Sequence, residues 1–180
     1  MKEIELTQGQ VALVDDEDFE RINAYKWSAH WAAGTKSFYA TRNSPWVNGK
    51  RKSIKMHRSV TSSPDGVHVD HINHDTLDNR RGNLRVCTGG QNQANCRTRA
   101  DNTSGFKGVC WHRGVRKWHA YLMVTSKRLH LGYFTTALEA AIAYDRAALE
   151  AFGEFALTNQ MLGLLTVGIV SNQLEAKART

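Results

Sequence analysis

The chain has 180 residues and a formal net charge of +7, from 24 Lys and Arg against 17 Asp and Glu. This length allows one ordinary domain or two very small ones, and the basic excess favours a polyanionic partner over an ordinary soluble role, because neutralising phosphates releases counterions. Three cysteines without a C-x-x-C pair (Cys87, Cys96 and Cys110) argue against a disulfide framework or a four-cysteine zinc site. The polar N-terminus and the short apolar run at 161–170 predict a cytoplasmic protein without a membrane span.

The first part of the chain is predicted to be rich in short strands. Residues 4–14 form strands around a Gln-Gly-Gln turn, and residues 19–27 form a short helix. Residues 37–42 and 53–57 form a hairpin, because Asn48-Gly49 between them is typical of tight β-turns.

Positive charge is concentrated in three stretches, residues 36–58, 79–99 and 104–132. The first carries seven Lys and Arg and no acidic residue. Aromatic residues interrupt the first and third stretches, a mixture that suits a nucleic-acid surface. Solvated loops are the alternative for any one of them.

Residues 69–96 carry the strongest candidate site. A short β-run ends in Asp70-His71, and a polar loop leads to a second β-run at 84–87. The next segment, residues 89–96, is predicted to be helical despite its two glycines.

This arrangement resembles the HNH homing-type endonucleases, whose site is a ββα-metal module of two strands and a helix around one divalent ion. The resemblance covers residues 56–97. The residues that carry it are Asp70-His71 at the end of strand one, Asp78-Asn79 and Asn83-Leu84-Arg85 before and into strand two, Asn92 on the helix, and Met56-His57-Arg58 upstream.

The resemblance implies roles for four side chains. Asp70 and Asn92 hold one divalent cation, with Mg²⁺ expected and Mn²⁺ as the alternative, because both residues offer hard oxygen ligands. His71 takes a proton from water, since imidazole titrates near neutrality, and Asn83 ties down the loop and orients His71. Three basic residues of this segment are expected to contact the DNA backbone, unless they are merely solvated: Arg80, Arg81 and Arg85.

Two rival interpretations concern the same segment. A zinc module could be built from His57, His68, His74, Cys87 and Cys96, but no ligand spacing supports it, and the three histidines are assigned structural or phosphate-contacting roles instead. The other rival is a DNA-binding regulator with a catalytically inert HNH-like region. The presence of all four motif residues argues against it.

Residues 105–134 alternate between polar and apolar side chains and predict a three-stranded antiparallel sheet with one buried face. Trp118, Ala120, Leu122 and Val124 share that face, and Leu129 and Leu131 are expected to join them. A helix over 137–152 should cover it: Thr136 and Glu139 form a capping box and Gly153 ends the helix.

Residues 104–159 resemble the APETALA/ethylene-response-factor DNA-binding domain, through Leu131-Gly132-x-Phe134 and the alanine-rich run from Glu139 to Ala148. The resemblance implies a sheet that lies in the major groove of DNA. The side chains expected to contact DNA are Lys107, His112, Arg113, Arg116, Lys117, Tyr121, Arg128 and His130. Cys110, His112 and Met123 stand where plant members carry arginine, so the plant target sequence is not implied.

The predicted architecture is α+β. An N-terminal β-rich region with the ββα-metal module (residues 1–100, core 56–97) precedes a three-stranded antiparallel sheet packed on one helix (101–159) and a C-terminal tail (160–180). The protein is predicted to be a metal-dependent DNA endonuclease that the sheet domain directs to its target sequence. Its predicted partner is double-stranded DNA, with no nucleotide cofactor and no membrane. Such pairings resemble phage or mobile-element endonucleases, so the host cytoplasm is the expected location. Recognition sequence, nicking against double-strand cleavage, and oligomeric state stay open.

Overall fold

The computed structural model describes residues 1–165, and the chain divides into two compact units, one ending at Thr88 and the other beginning at Gly89. The sequence predicts the boundary at 100/101 instead. The difference arises because the carbonyl of Ala94 accepts hydrogen bonds from the backbone N–H of Leu157 (3.2 Å) and from Lys107 Nζ (2.5 Å), which tie the segment after Thr88 to the second unit. Within residues 1–165 no helix is long and apolar enough to span a bilayer.

The first unit is built from short strands and two helices. In chain order these are β1 (Lys2–Glu5), a 3₁₀ turn (Thr7–Gly9), β2 (Val11–Val14), α1 (Asp16–Asn23), β3 (Ser28–Ala32), β4 (Ser37–Asn43), β5 (Ser53–Lys55), α2 (Met56–Thr61), β6 (His68–His71), a 3₁₀ turn (Arg81–Asn83) and β7 (Leu84–Cys87). Strands β1 and β2 pair with each other, β3-β4-β5 form a three-stranded sheet, and β6 pairs with β7; every pairing is antiparallel. The predicted hairpin is therefore present, but Met56 and His57 begin α2 instead of extending its second strand.

The motif loop of residues 72–80 is anchored to this unit by backbone pairing. The N–H of Leu13 donates to the carbonyl of Leu77 (2.9 Å), and the N–H of Asn79 donates to the carbonyl of Leu13 (2.8 Å). The core beneath contains Ile4, Val14, Ile22, Trp27, Met56, Val60 and Leu84. The loop is thus held against buried strand β2, which limits how far the side chains it carries can move.

The second unit contains α3 (Gly89–Ala94), β8 (Val109–His112), β9 (Lys117–Val124), β10 (Lys127–Phe134), α4 (Ala137–Phe152) and a 3₁₀ turn (Gly153–Phe155). Its antiparallel sheet has the order β10-β9-β8. The predicted capping box is present: Thr136 Oγ1 accepts from the N–H of Glu139 (3.1 Å), and Glu139 Oε2 accepts from the N–H of Thr136 (3.2 Å).

One face of this sheet packs against α4. Ala120 and Leu122 are buried with Ala140, Ala141 and Ala148 of the helix, whose small side chains permit a close approach. A Cβ atom on Gly108 would lie 2.0 Å from the ring of Tyr144, and the φ of Gly108 is +73°, so only glycine fits there.

The prediction that Leu129 is buried is wrong, because its side chain is 50% exposed. The register of β9 and β10 shifts between His130 and Gly132. That shift comes after Leu129, which pairs with buried Leu122 and so stays on the face toward α4. Its exposure follows from the position of β10 at the edge of the sheet. Leu131 packs against the core as expected.

The segment after α4 is fastened to the second unit by Asp145. Its Oδ1 accepts from the backbone N–H and the Nδ2 of Asn159 (both 2.8 Å), and its Oδ2 accepts from the N–H of Gln160 (2.9 Å). Leu165 is buried in the core. The predicted tail therefore begins as packed structure, and its residues 166–180 lie outside the described residues.

Candidate active site and nucleic-acid interface

Asp70 and His71 end strand β6, where both are buried, with 8% and 5% of their surface exposed. In the antiparallel pairing with β7, Asp70 lies opposite Arg85 and His71 lies opposite Leu84. Because successive strand residues point to opposite faces, the carboxylate and the imidazole project to different sides of this hairpin.

Arg85 is bonded to Asp70. Its Nε and Nη2 donate to Asp70 Oδ2 over 3.1 and 3.0 Å, and the two side chains are only 11% and 10% exposed. The sequence predicts that Arg85 contacts the DNA backbone, whereas in the structure its guanidinium forms an ion pair with the predicted metal ligand Asp70. The signal that sequence reasoning missed is the strand register, which places this acid and this base directly across from each other. Asp70 Oδ1 accepts no hydrogen bond from the described residues.

His71 lies in an aromatic cluster with His57 and Tyr39. The ring centres of His71 and His57 are 5.0 Å apart and nearly perpendicular, and that of Tyr39 is 6.2 Å from His71. Burial lowers the pKa of His71, although the Asn79 side chain and the carboxylates of Asp70, Asp75 and Asp78 act in the opposite direction. The imidazole is therefore neutral at neutral pH, the form that can accept a proton.

His57 is 6% exposed and its pKa falls to about 3, first because of burial and then because protonated His57 would be repelled by His71 when that ring is protonated, and by Lys55 and Arg58. It packs edge-on against Tyr39 as well as His71. Of the two roles predicted for it, this position agrees with the structural one. A neutral ring beside His71 adds no charge to the site.

Asn83 closes the loop between β6 and β7. Its Oδ1 accepts from the N–H of Asn73 (3.0 Å) and its Nδ2 donates to the carbonyl of Asp78 (2.8 Å). The backbone carbonyl of Asn83 also accepts from the N–H of Ile72 (2.9 Å), directly after His71. One buried amide thus joins both ends of the loop next to the imidazole.

Arg80 and Arg81 are held by carboxylates of the first unit. Arg80 makes two 2.7 Å bonds to Asp78, which are the main reason that the pKa of Asp78 is lowered. Arg81 makes bonds of 2.6 and 2.8 Å to Asp18, which is 2% exposed. The arginine side chains are themselves 41% and 49% exposed, so a DNA contact stays a prediction for both, in competition with these ion pairs.

Asn92 lies on α3 and belongs to the second unit, whereas Asp70, His71 and Asn83 belong to the first. In residues 1–165 no group of three His, Cys, Asp or Glu side chains is arranged to hold a metal ion. The zinc module therefore has no ligand set in the part of the chain that the structure describes.

The outer face of the second unit's sheet carries imidazole and phenol rings. His119 Nε2 lies 2.7 Å from His130 Nδ1, and the rings of Tyr133 and His119 are 5.2 Å apart. The Arg128 guanidinium lies 4.3 Å from the centre of the Tyr121 ring. His112, Tyr121, Arg128 and His130, all predicted DNA contacts, are thus brought to one sheet, and its hairpin β8–β9 adds exposed Arg113, Arg116 and Lys117.

Lys107 is not on this outer face, so its predicted exposure is wrong. Its ammonium donates to the carbonyls of Ala94 (2.5 Å) and Leu157 (3.0 Å), and burial lowers its pKa to about 8. The residue precedes β8 in a loop, where strand alternation gives no guide to direction. Lys107 fastens α3 and the segment after α4 to the loop before the sheet.

Similarity to known proteins falls in two groups. A family model described as HNH endonuclease matches residues 61–94. The chain is 27% identical over 165 residues to an uncharacterized HNH endonuclease of Acanthamoeba polyphaga mimivirus, covering 86% of this chain and 77% of that protein. It is 31% identical over 93 residues to protein 3.8 of Escherichia phage T7, covering 52% and 76%.

The second group consists of plant proteins. An AP2-like ethylene-responsive transcription factor of Arabidopsis thaliana is 38% identical over 61 residues, which is 34% of this chain but 13% of that protein. This likeness is confined to a part of each molecule. The family model, by contrast, spans the β6–β7 hairpin with Asp70, His71 and Asn83 and continues into α3, and the viral relative aligns along most of the chain. The chain therefore belongs to the HNH endonuclease family.

Proposed function

We propose that this family member is a metal-dependent endonuclease that hydrolyses phosphodiester bonds in double-stranded DNA, and that the sheet of its second unit supplies DNA binding. The observation that carries the proposal is the end of β6, where a buried carboxylate and a buried neutral imidazole are adjacent in sequence. Phosphodiester hydrolysis needs an acceptor for the proton of water and a centre that stabilises developing charge.

Asp70 of the first unit offers the kind of ligand that a hard divalent ion takes, and Asn92 is assigned to the same ion by the family resemblance alone. Asp70 has one carboxylate oxygen that accepts no hydrogen bond from the described residues, and Asn92 offers an amide oxygen; oxygen ligands are those that Mg²⁺ and Mn²⁺ take. A bound divalent ion would stabilise negative charge on the phosphorane and on the departing oxygen. Asp70 and Asn92 would hold it, and Arg85 would compete with it for the Asp70 carboxylate.

The remaining chemistry belongs to residues of the first unit. His71 accepts a proton from water, the resulting hydroxide attacks phosphorus, and the bond from phosphorus to one ester oxygen breaks. That oxygen takes its proton from solvent. Asn83 holds both ends of the loop that follows His71, so we assign it the positioning of the imidazole.

DNA binding is assigned to the outer face of the β8-β9-β10 sheet and its first hairpin. Arg113, Arg116, Lys117 and Arg128 are exposed and form no ion pair within residues 1–165. Cations of this kind suit phosphate contacts, and a β-ribbon fits the major groove. The partial likeness to a plant protein named as a transcription factor supports the same assignment.

A DNA-binding regulator with an inert HNH region is the second candidate. The observation that favours it is the Arg85–Asp70 ion pair, which occupies one oxygen of the predicted metal ligand. The two candidates predict the same DNA affinity and differ only in strand cleavage.

Incubation of supercoiled plasmid with Mg²⁺, Mn²⁺ or a chelator separates them. We expect relaxed or linear product with either ion and none with chelator. Asp70→Ala and Asn92→Ala should raise the metal concentration needed, Asp70→Ala more, because it removes a charge. Duplex binding without cleavage under any metal would establish the regulator; cleavage that persists in chelator would remove the metal from the mechanism.

A further inference from the structure

The β4–β5 tip, residues 44–52, is an ordered turn of the first unit to which the proposed chemistry gives no role. Val47 and Lys50 exchange two backbone hydrogen bonds of 3.0 Å, and the N–H of Ser44 donates to the carbonyl of Lys52 (2.8 Å). Asn48 and Gly49 adopt φ values of 50° and 70°, the left-handed conformation of a tight hairpin turn. The tip is thus a defined projection.

This tip exposes large apolar side chains. Trp46 is 63% exposed and Val47 is 64% exposed. The Arg51 guanidinium lies 4.9 Å from the centre of the Trp46 ring. Two large apolar side chains next to each other among cations give this tip a surface to which a ligand with both apolar and anionic groups could bind.

The charge around Trp46 indicates what binds there. Lys50, Arg51 and Lys52 are consecutive and exposed, and residues 36–58 contain no acidic side chain. Lys52 reaches Asp65 over 3.3 Å, but both side chains are largely exposed, so this pair is weak. Cations beside an aromatic ring complement the phosphates and bases of nucleic acid.

The end of the β4–β5 hairpin opposite the tip lies near the candidate active site. Lys55, the last residue of β5, has its ammonium 4.6 Å from the centre of the Tyr39 ring, and Tyr39 contacts both His57 and His71. Lys50 lies five residues before Lys55 in the chain, and five residues of extended backbone span at most about 17 Å. With ~3.4 Å between base pairs, that is about five base pairs of duplex.

We propose that the β4–β5 tip is a DNA-contacting wedge, which seats Trp46 in a groove of the duplex within about five base pairs of the scissile phosphate. Lys50 and Arg51 contact the flanking phosphates, and Val47 packs beside Trp46. The inference rests on the proposed function, because it takes the duplex that His71 cleaves as its ligand. Apolar side chains placed in grooves in this way also bend or unstack the duplex.

The test uses the full chain and a matched pair of tryptophans. Trp46→Ala is compared with Trp31→Ala, which removes a 50% exposed tryptophan from β3 of the same sheet, where it packs on Phe38 at 5.0 Å. Binding of a fluorescent duplex is measured by anisotropy in chelator. We expect Trp46→Ala to weaken binding about tenfold, as for loss of an aromatic–base contact, and Trp31→Ala to leave it unchanged.

Two further measurements locate the contact. Lys50→Ala should reduce the slope of log affinity against log salt by about 0.9, the value for one lost phosphate contact, whereas Lys36→Ala, in the β3–β4 turn, should not. Hydroxyl-radical footprinting should show protection beside the cut, within about five base pairs of it, in wild type and not in Trp46→Ala. If wild type binds no DNA, the proposed function and the wedge both fail. If wild type binds and cleaves while Trp46→Ala behaves as Trp31→Ala, only the wedge is wrong.

Discussion

In the first unit the arginines next to the HNH motif are bonded to carboxylates, whereas the arginines of the second unit's sheet are exposed and form no ion pair with any residue that the structure describes. Arg80, Arg81 and Arg85 each reach an acid at 3.1 Å or less. Arg128 instead stacks on Tyr121. The first set fixes a loop and a hairpin, and the second set is available to a ligand. The number of basic residues in a motif therefore overestimates how many of them are available to bind phosphate.

The histidines differ between the two units in the same way. His57 and His71 are buried and neutral, with carboxylates near His71. His112, His119 and His130 share the outer face of a sheet, where His130 is exposed and is bonded to His119, which is itself only 9% exposed. Burial beside a carboxylate suits acid–base chemistry, and a row of rings on an open sheet suits contact with a ligand. If this comparison is right, substitutions in the first unit should change the cleavage rate or the stability, and substitutions on the sheet of the second unit should change DNA affinity.

The largest effect is expected from His71→Ala. Loss of a general base costs about 10²- to 10⁴-fold in rate, while DNA affinity should stay within about twofold, because phosphate contacts are spread over many residues elsewhere. Single-turnover cleavage and anisotropy on the same preparation measure both quantities. Undiminished cleavage by a clean mutant preparation would show that another group takes the proton.

Arg85→Ala tests whether the motif arginine stabilises the fold. Removing it leaves the Asp70 carboxylate buried without a partner, which should lower the free energy of unfolding by about 3 kcal/mol. Arg128→Ala, the matched change on the open sheet, should alter it by less than about 0.5 kcal/mol. Urea unfolding of both variants in chelator makes the comparison.

The stability of Arg85→Ala also tests metal binding at Asp70, without a cleavage assay. If Asp70 is a ligand, Mg²⁺ should restore part of the stability that Arg85→Ala loses, since an ion that binds only the folded state stabilises it. An Arg85→Ala protein as stable as wild type would mean that the ion pair contributes nothing; one unaffected by Mg²⁺ would count against Asp70 as a ligand.

The sequence was most informative where local signals determine structure. Strand alternation located the second sheet, Thr136 and Glu139 located the start of α4, and Gly153 located its end. Asp70-His71 was correctly placed at the end of a strand. Each of these rests on residues a few positions apart, whose geometry the backbone itself sets.

The features that the sequence did not predict depend on contacts between residues far apart in the chain, which local patterns do not encode. Arg81 finds Asp18, 63 positions away, and Lys107 finds the carbonyl of Leu157. Leu129 pairs with buried Leu122 as its face predicts, but it lies on edge strand β10 and is 50% exposed. The Arg85–Asp70 pair could have been found, because an antiparallel register for β6 and β7 aligns these residues once the loop length is known.

The buried histidine of the first unit should make stability depend on pH. The pKa of His57 is about 3 in the folded chain and about 6.5 when unfolded. Above pH 6.5 the ring is neutral in both states and has no effect. As pH falls from 6.5 towards 3, only the unfolded state gains the proton, so the free energy of unfolding drops by up to ~1.4 kcal/mol per unit, or about 2 kcal/mol at pH 5.

Urea unfolding at pH 7 and pH 5 measures this slope. His57→Gln should reduce it, whereas His68→Gln, at an exposed position on β6, should leave it unchanged. If His57→Gln loses as much stability on acidification as wild type, the ring is not buried in its neutral form. Because the comparison uses differences between pH values, a general loss of stability in the variant does not obscure it.

The smallest effect, and the one that most sharpens the contrast between the units, concerns Arg128 and Lys117. Arg128 lies on β10 opposite Met123, within the ring-lined face, whereas Lys117 begins β9 at the end of the sheet. If the sheet lies in a groove, Arg128 reaches base edges and Lys117 reaches phosphate. Arg128→Ala should then cost about 1 kcal/mol on a selected duplex and less on random duplexes. Lys117→Ala should weaken binding to all duplexes alike and lower the slope of log affinity against log salt by about 0.9.

Anisotropy with both duplex sets at several salt concentrations, in chelator to prevent cleavage, distinguishes the two variants. If Arg128→Ala loses the same affinity for every duplex, this face binds phosphate alone. Sequence preference would then have to come from elsewhere in the chain.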